Sequence, residues 1–410
     1  MNKSVVSWAL YDVSNTVFNL GVVGLFLPLS INERQGTTDA DLGFPIVISM
    51  VIVLVASPFL GALTDQLKGR IRTFTLLNIV ATISICLIGF SSTIMGTLTF
   101  FSTAFVSVYL AELLYNSMLK DASTSENRGK IGGLGIGLGY VGSLVVLLVA
   151  LQHSGYNSNY SSAFLGIALI YILAALPLTI FFDEKHQADT RSQTDIVLSA
   201  TWTQIKRSIN HFKRSPTLLK YFIARYFYMV AVTTSSTFAV LYGLKTMSFT
   251  EREVELVLLL GTVFAIPGAM LWGYIVDKIG PAYALKWNIL GWSLMLAAAF
   301  SIPTMNLSNQ LWWPLSAILG LFFGGLWAAD RPLLIQLSPS NLGEMFGIYG
   351  AVSRLSFLTG AFVWPLIAVT MDLGQPAAVF FLLCCSLVGL AVLIVWVVSE
   401  DRLCPPSQQP

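Results

Sequence analysis

Six ionisable side chains stand inside stretches of sequence that are otherwise apolar. They are three acids and three arginines: Asp12, Glu112, Asp330, Arg225, Arg331 and Arg354. A charge in the middle of a membrane-spanning helix costs about 2.5–3.5 kcal/mol on insertion scales, so such residues usually face a cavity or a partner. The matched signs favour a buried group that is neutral overall. Two hypotheses follow: a site that binds a charged solute or a proton, and a latch of ion pairs that opens and closes.

Neighbouring polar residues extend these charges into stripes. The first apolar stretch carries four polar or aromatic residues on one helical face: Trp8, Asp12, Asn15 and Asn19. Tyr221, Arg225 and Tyr228 share a face in the seventh stretch, and Glu112 stands four residues before Asn116 in the fourth. We predict that a substrate or proton pathway is lined by Asp12, Asn15, Asn19, Glu112, Asn116, Arg225, Tyr228, Asp330, Arg331 and Arg354.

Two further runs of small or polar residues have competing interpretations. The hydroxyls of residues 233–237 either donate to a solute or bond the carbonyls of their own helix. The fifth stretch holds six glycines: Gly132, Gly133, Gly135, Gly137, Gly139 and Gly142. Small residues at this spacing allow close crossing of helices in lipid, so we predict tight packing there.

The elements that would hold these residues are twelve apolar stretches of about twenty residues, the length needed to cross about 30 Å of hydrocarbon. Hydrophobic residues make up 55% of the 410-residue chain and charged residues only 11%. The sequence therefore predicts an all-α membrane protein. The predicted spans are 5–29, 42–63, 73–92, 95–117, 131–152, 161–182, 218–243, 254–276, 283–302, 311–334, 346–370 and 377–398.

The placement of basic residues predicts the orientation of these spans. Of the 23 Lys and Arg residues, three lie inside spans and only Arg34, Lys245 and Arg252 fall in one set of alternating connections. The others share the opposite side with both termini. Because cytoplasmic loops are rich in Lys and Arg, we predict that both termini are cytoplasmic.

A long polar segment divides the chain into two blocks of six spans. We predict an N-terminal six-helix bundle over 1–182, a cytoplasmic linker over 183–217, a C-terminal bundle over 218–399 and a cytoplasmic tail over 400–410. Apolar residues recur at helical spacing in the linker, which predicts an amphipathic helix on the inner leaflet. A solvated linker helix is the alternative.

The two blocks also share a motif. A Gly-x-x-x-Asp pentapeptide ends the second span at 61–65 and the eighth span at 273–277, and basic residues or glycine follow each copy. Two copies in register indicate internal duplication, and transporters built from repeats place their solute path between them. We predict a gating or latch role for Gly61, Asp65, Arg70, Arg72, Gly273, Asp277 and Gly280.

Two six-span blocks with this paired motif resemble the major facilitator superfamily of secondary transporters. The resemblance implies two pseudo-symmetric six-helix bundles that work by alternating access. It also implies that spans 1, 4, 7 and 10 line a central cavity, in agreement with the polar stripes.

The first span carries a narrower resemblance. Residues 8–12, with Asn15 and Phe18, are similar to the opening signature of the vacuole-effluxer-like branch, which includes the autophagy-related vacuolar amino-acid effluxers of fungi and bacterial relatives. Other stretches agree with it at 115–119, 137–142, 324–331 and 346–354. The resemblance implies efflux of a small polar solute, such as an amino acid or related metabolite, from a bacterial inner (plasma) membrane.

Other kinds of chemistry lack their sequence patterns. The chain has no nucleophile elbow, phosphate loop or metal-ligand spacing, so we expect no catalytic site, cofactor or metal, and an ion gradient as the energy source. A proton or another cation is the expected coupling partner, membrane lipid surrounds the chain, nucleic acid is not expected, and we expect a monomer. Two alternatives remain open: an exporter of lipid-like or hydrophobic compounds, and a membrane sensor that transports nothing.

Overall fold

The computed structural model describes residues 3–33, 37–66, 70–122, 128–153, 160–182, 216–338 and 342–398. Within these ranges the regular structure is entirely helical. The first six helices are α1 (Lys3–Asn32), α2 (Ala40–Gln66), α3 (Arg70–Phe90), α4 (Ile94–Ala122), α5 (Arg128–His153) and α6 (Tyr160–Phe181).

The second six helices repeat this arrangement. They are α7 (Pro216–Lys245), α8 (Glu251–Ile279), α9 (Pro281–Thr304), α10 (Asn309–Leu337), α11 (Leu342–Pro365, continued by Leu366–Thr370) and α12 (Gly374–Val392, continued by Leu393–Val398). Eleven helices of the described chain are long and apolar enough to cross a membrane, and α5 adds a shorter apolar stretch over Gly137–Gln152. The predicted all-α, twelve-span fold is confirmed, with span limits correct to within a few residues.

The link between α8 and α9 is a single residue. Gly280 has φ +83°, a backbone conformation that favours glycine, and Pro281 begins the next helix. Gly280 thus explains how two spans follow each other so closely. At its other end α8 begins with a capping box, in which the Thr250 hydroxyl accepts from the Glu253 N–H and the Glu253 carboxylate accepts from the Thr250 N–H.

Three helices contain stretches of wider π-helical geometry, which the sequence did not predict. Val17–Phe26 interrupts α1, Leu366–Thr370 ends α11 directly after Pro365, and Leu393–Val398 ends α12. Such stretches are rare and often occur at functional positions. The one in α1 is the longest; it begins two residues after Asn15 and contains Asn19, the last residue of the first stripe.

The described helices fall into two compact units, with the boundary between Thr203 and Gln204. Within the first unit α1 packs on α5 and α6, α2 on α4, and α3 on α4 and α6. Within the second unit α7 packs on α11 and α12, α8 on α10, and α9 on α10 and α12. Each pairing recurs six helices later, which is the pseudo-symmetry expected of a duplicated fold. The predicted linker helix and the tail 400–410 lie outside the described residues.

Candidate functional site

The second unit contains a fully buried ion pair. Arg225 of α7 places Nε 3.1 Å from Oδ2 of Asp330 on α10, and both side chains are 0% exposed. Arg225 is the tenth residue of its helix, about 14 Å from the helix start at 1.5 Å per residue. Because a buried charge without a partner is strongly destabilising, this pairing is what allows both residues to remain charged so deep in the unit.

Three tyrosines complete the surroundings of Asp330. Tyr221 and Tyr228 of α7 donate to Oδ1 over 2.6 and 2.5 Å, and Tyr349 of α11 donates to Oδ2 over 2.7 Å. Short O–H···O⁻ distances of this kind are typical of hydrogen bonds to an ionised carboxylate. Together with Arg225, these hydroxyls give the carboxylate four donors from two neighbouring helices.

Arg225 makes two further contacts, both with Tyr349. Its Nη1 donates to the Tyr349 carbonyl oxygen over 3.0 Å, and its Cζ lies 3.4 Å from the centre of the Tyr349 ring. Its Nη2 is buried and has no hydrogen-bond partner. The guanidinium group is therefore held on one edge and one face, while a nitrogen on its remaining edge is unsatisfied.

The other two arginines of this unit are less buried. Arg331 is half-buried, with its guanidinium carbon 6.0 Å from the centre of the Trp327 ring, and Arg354 is half-buried on α11. Arg331 nevertheless lies close enough to Tyr349 to act on it electrostatically. Among the described residues, Arg331 thus adds a second positive charge near the buried pair.

The corresponding region of the first unit is an aromatic cluster. The Trp8 ring stacks on Tyr115 of α4 at 4.5 Å between ring centres, and Trp8 Nε1 donates to the Tyr115 carbonyl oxygen over 3.1 Å. Tyr11 lies 4.8 Å from Tyr115 and 4.7 Å from Phe74, again between ring centres. All four rings are buried, which fixes α1 against α3 and α4.

Asp12 lies beside this cluster, against the glycines of α5. A Cβ added at Gly135 would be 3.4 Å from Asp12 Oδ2, and one added at Gly139 would be 2.8 Å from the Thr16 hydroxyl. A Cβ at Gly142 would be 3.2 Å from the Val13 carbonyl oxygen. The glycines therefore do bring α5 close to α1, as predicted, and they leave Asp12 half-buried.

The remaining predicted pathway residues of the first unit differ in burial. Asn19 is exposed and accepts a hydrogen bond from Tyr109 over 3.0 Å, whereas Oδ1 of Asn15 is buried without a partner. Glu112 is half-buried, and Asn116 is exposed. These residues lie on α1 and α4 around one polar region, while the buried ion pair belongs to the other unit.

The hydroxyl run of α7 mostly serves its own helix. Thr233, Ser235, Ser236 and Thr237 donate to carbonyls three or four residues earlier in α7. Thr234 lies against Gly360 of α11. Of the two interpretations of this run, the structure supports internal bonding.

The predicted gating residues occupy the ends of α2, α3 and α8. Arg70 and Arg72 begin α3, and Asp277 is exposed near the end of α8. The surroundings of Gly61 and the side chain of Asp65 are not described by the structure. Gly273 has no atom within 4 Å of an added Cβ, so close helix approach does not explain this glycine.

Close approach occurs elsewhere on α8. A Cβ at Gly320 of α10 would lie 2.0 Å from the Gly261 carbonyl oxygen, and one at Gly324 would lie 2.0 Å from that of Ala265. A Cβ at Gly268 would lie 2.5 Å from the Leu321 carbonyl oxygen. The main chains of α8 and α10 are thus in direct contact along about two turns, a contact that the shared pentapeptide did not reveal.

Sequence reasoning found the Arg225 stripe and missed two members of its site. Tyr221 and Tyr349 were not among the predicted pathway residues, although each donates to Asp330. Tyr221 had a signal, because it stands four residues before Arg225 on the same helical face. Tyr349 lies in the stretch 346–354 that the family resemblance singled out, but only the packing of α11 on α7 brings it to Arg225.

Sequence comparison matches the Major Facilitator Superfamily over residues 15–316 and 245–410. An uncharacterized MFS-type transporter, YxiO, of Bacillus subtilis (strain 168) is 23% identical over 99% of this chain and 97% of its own length. Autophagy-related protein 22 of Neurospora crassa is 23% identical over 67% of this chain and 40% of its own length. The quinolone resistance protein NorA of Staphylococcus aureus (strain COL) is 21% identical over 96% of this chain and 97% of its own length.

Solved structures agree with the sequence matches. The nucleoside transporter NupG superposes with a TM-score of 0.70 at 12% identity, covering 96% of this chain and all of that one. The xylose transporter XylE from E. coli superposes with a TM-score of 0.67 at 15% identity, covering 96% and 95%. At such identities the likeness shows the fold, which is the predicted one. With the family match over most of the chain, it follows that this multi-pass membrane protein, a solute transporter and not an enzyme, belongs to the Major Facilitator Superfamily.

Proposed function

We propose that this chain is a secondary active transporter that exports a small polar solute, an amino acid or related metabolite, from a bacterial inner membrane. Alternating access moves the solute, and an ion gradient drives it, with a proton or another cation as the coupled ion. The observation that carries the proposal is the buried Arg225–Asp330 pair. A polar centre of this kind in a membrane-spanning unit is retained for a function, because hydrophobic residues would pack there at lower cost.

The relatives support the chemical class of the solute. Autophagy-related protein 22 belongs to the branch that the first span resembles, and that resemblance implies amino acids. The polar residues on α1, α4 and α7 support a hydrophilic path. In this proposal Asp12, Asn15, Asn19, Glu112 and Asn116 line the path in the first unit, and Arg225, Tyr228, Asp330, Arg331 and Arg354 line it in the second.

The direct test combines binding with flux. Purified protein is screened against amino acids and related metabolites for a rise in melting temperature, since a ligand that binds only the folded state stabilises it by mass action. Each hit is then measured as flux in proteoliposomes, with and without a protonophore. We expect stabilising solutes to be transported, and their accumulation to collapse with the gradient. Solutes that bind and never cross would contradict the proposal and favour a sensor.

Asp12 is the residue we propose for coupling. It is an acid half-buried against a helix of glycines, where a protonation change is accommodated without repacking large side chains. Asp12→Asn should flatten the pH dependence of flux and preserve exchange of solute between two equal pools. Asp372→Asn, at the connection between α11 and α12, is the matched control. A pH profile identical to that of the unmodified protein would remove Asp12 from the proton route.

The gate and the orientation complete the proposal. Gly61, Asp65, Arg70, Arg72, Gly273, Asp277 and Gly280 act at the cytoplasmic ends of their spans, and both termini face the cytoplasm. Cys404, the one cysteine outside the predicted spans, offers a test of orientation in a variant whose other cysteines are alanine. An impermeant maleimide should label it in inverted vesicles and not in intact cells. Labelling of intact cells would reverse the orientation.

A second candidate function is the export of hydrophobic compounds, which the similarity to a quinolone resistance protein favours. The same melting assay separates the two candidates, because hydrophobic drugs and amino acids are tested side by side. Stabilisation by drugs alone would replace the polar solute with an apolar one. The charged centre described above would then lack an explanation as a solute site.

A further inference from the structure

We propose that Arg225 binds a carboxylate group of the transported solute, and that Asp330 is the fixed counter-ion of Arg225. This inference rests on the proposed function and deepens it, because it names the charged group that the solute must carry. The unsatisfied Nη2 of Arg225 is the point of attachment.

The first step concerns the acceptor capacity of Asp330. An ionised carboxylate has about four lone-pair sites. Oδ1 accepts from Tyr221 and Tyr228, and Oδ2 accepts from Arg225 and Tyr349. All four sites are occupied by donors. Asp330 therefore has no acceptor site left for a solute.

The second step concerns what the pairing leaves free on Arg225. Asp330 occupies Nε, the Tyr349 carbonyl occupies Nη1, and the Tyr349 ring covers one face of the guanidinium. Nη2 is buried and makes no hydrogen bond. A buried donor without a partner is destabilising, and a fixed Asp–Arg–Tyr scaffold that leaves one such donor presents a binding position.

The third step concerns the sign of the solute group. The interior of α7, α10 and α11 carries Arg225, Arg331 and Arg354 against Asp330. Arg225 and Asp330 cancel each other, so the excess positive charge near Tyr349 comes from Arg331. An acceptor group that is also anionic satisfies Nη2 and offsets this excess. The planar N–H groups of a guanidinium match a carboxylate in particular.

Access to Nη2 follows the transport cycle. The nitrogen is closed to solvent in this structure, so a solute reaches it only when the packing around α7 and α11 opens. The solute can hydrogen-bond Nη2 in the state in which the site is open, and it cannot reach Nη2 in the closed state. The solute therefore has different affinities for the open and the closed state. Such a difference is what any ligand-driven conformational change requires.

The experiment compares acids with their amides on the unmodified, full-length protein. Amino acids that stabilise or cross are each paired with the corresponding amide, and with a simple carboxylate that lacks the amino group. We expect the apparent Kd of the amide to be at least about tenfold weaker than that of the acid, the size expected for loss of one charge-assisted hydrogen bond. Equal affinity of acid and amide would overturn the proposal while leaving the transport function in place.

Variants locate the effect at Nη2. Arg225→Lys keeps the positive charge beside Asp330 and removes Nη2, so it should lower the acid-to-amide preference to near one. Arg252→Lys, an exposed arginine at the start of α8, is the matched control and should keep the full preference. A folded Arg225→Lys variant that keeps the preference would overturn the assignment to Arg225. Absence of flux for every solute would instead overturn the proposed function and this inference with it.

Discussion

The two units share a side-chain to main-chain contact at equivalent positions, but the residues around that contact differ in charge and size. In each unit an aromatic side chain at the sixth residue of the first helix donates to the main-chain carbonyl of the twenty-second residue of the fourth helix. Trp8 donates to the Tyr115 carbonyl over 3.1 Å, and the Tyr221 hydroxyl, which donates mainly to Asp330 Oδ1, also lies 3.2 Å from the Asp330 carbonyl oxygen. The duplicated fold has thus kept a structural contact between α1 and α4, and between α7 and α10.

The surrounding residues have diverged in charge and in size. The tenth residue of the first helix is Asp12 in one unit and Arg225 in the other. The fifth helix covers Asp12 with glycines, whereas α11 covers Arg225 with Tyr349. The second unit therefore holds its charge between a buried ion-pair partner and a large aromatic ring, whereas the first unit holds its charge against small residues. We infer that the surroundings of Arg225 suit a fixed binding group, and that the surroundings of Asp12 suit a group that changes protonation.

The largest expected effect comes from breaking the buried pair. Arg225→Ala or Asp330→Ala leaves one buried charge without its partner and should lower the free energy of unfolding by about 3–5 kcal/mol. Asp12→Ala, at the equivalent position of the first unit, should lower it by less than half of that. Denaturant unfolding of the three purified variants in one detergent measures the difference. Equal losses at Arg225 and Asp12 would contradict the contrast between the two units.

A smaller effect is expected from the tyrosine hydroxyls. Tyr228→Phe removes one donor to an ionised carboxylate and should lower the free energy of unfolding by about 1.5–3 kcal/mol. The matched control in the first unit is Tyr171→Phe, which removes a 2.6 Å bond to the neutral amide of Asn78 and should lower it by about 0.5–1.5 kcal/mol. If Tyr171→Phe were the more destabilising change, Asp330 would not be the charged acceptor described above.

Replacing a glycine that contacts a neighbouring helix should destabilise the second unit more than the first. Gly320→Ala places a methyl group 2.0 Å from a main-chain oxygen of α8, so it should lower the free energy of unfolding by about 1–3 kcal/mol. Gly142→Ala, where the nearest atom of α1 is 3.1 Å away, should have a clearly smaller effect. Melting temperatures of both variants, with Gly273→Ala as a control in open space, would show it. A Gly142 variant as unstable as the Gly320 variant would mean that both contacts are equally rigid.

The smallest effect is expected from the shared hydrogen bond itself. Trp8→Phe keeps a ring stacked on Tyr115 and loses the Nε1 donor, so it should lower the free energy of unfolding by about 1 kcal/mol. Trp292→Phe, which removes a buried Nε1 that has no hydrogen-bond partner, is the matched control. A loss confined to Trp8→Phe would support the structural role of this bond, and equal losses would exclude it.

The sequence predicts the helices well and the pairing of charges poorly. Hydropathy and length are local properties, so α8 and α9 were separated correctly even with one residue between them. The face that joins Tyr221, Arg225 and Tyr228 also follows from helical spacing alone. Counting three acids and three arginines did not say that Arg225 pairs with Asp330 of its own unit. That choice depends on the packing of α7 on α10, which spacing along the chain does not encode.

Other features required tertiary structure for a similar reason. Tyr349 reaches Arg225 because α11 packs on α7, and the sequence around Tyr349 does not indicate that partner. The main-chain contact of Gly320 with Gly261 joins α10 to α8, and neither glycine belongs to the Gly-x-x-x-Asp motif. The glycine motif at 273–277 drew attention to one end of α8, whereas the glycines that touch a neighbour lie further toward its middle.

The wide turns of α1 give this helix a means of rotation that α7 does not share. Val17–Phe26 closes its hydrogen bonds five residues apart, one more than an ordinary helical turn. Moving one residue from the wide form to the ordinary one would rotate everything before it by about 100°, since a turn holds 3.6 residues. Such a step would swing the Asp12 carboxylate from one neighbouring helix toward another while the far end of the span stays still.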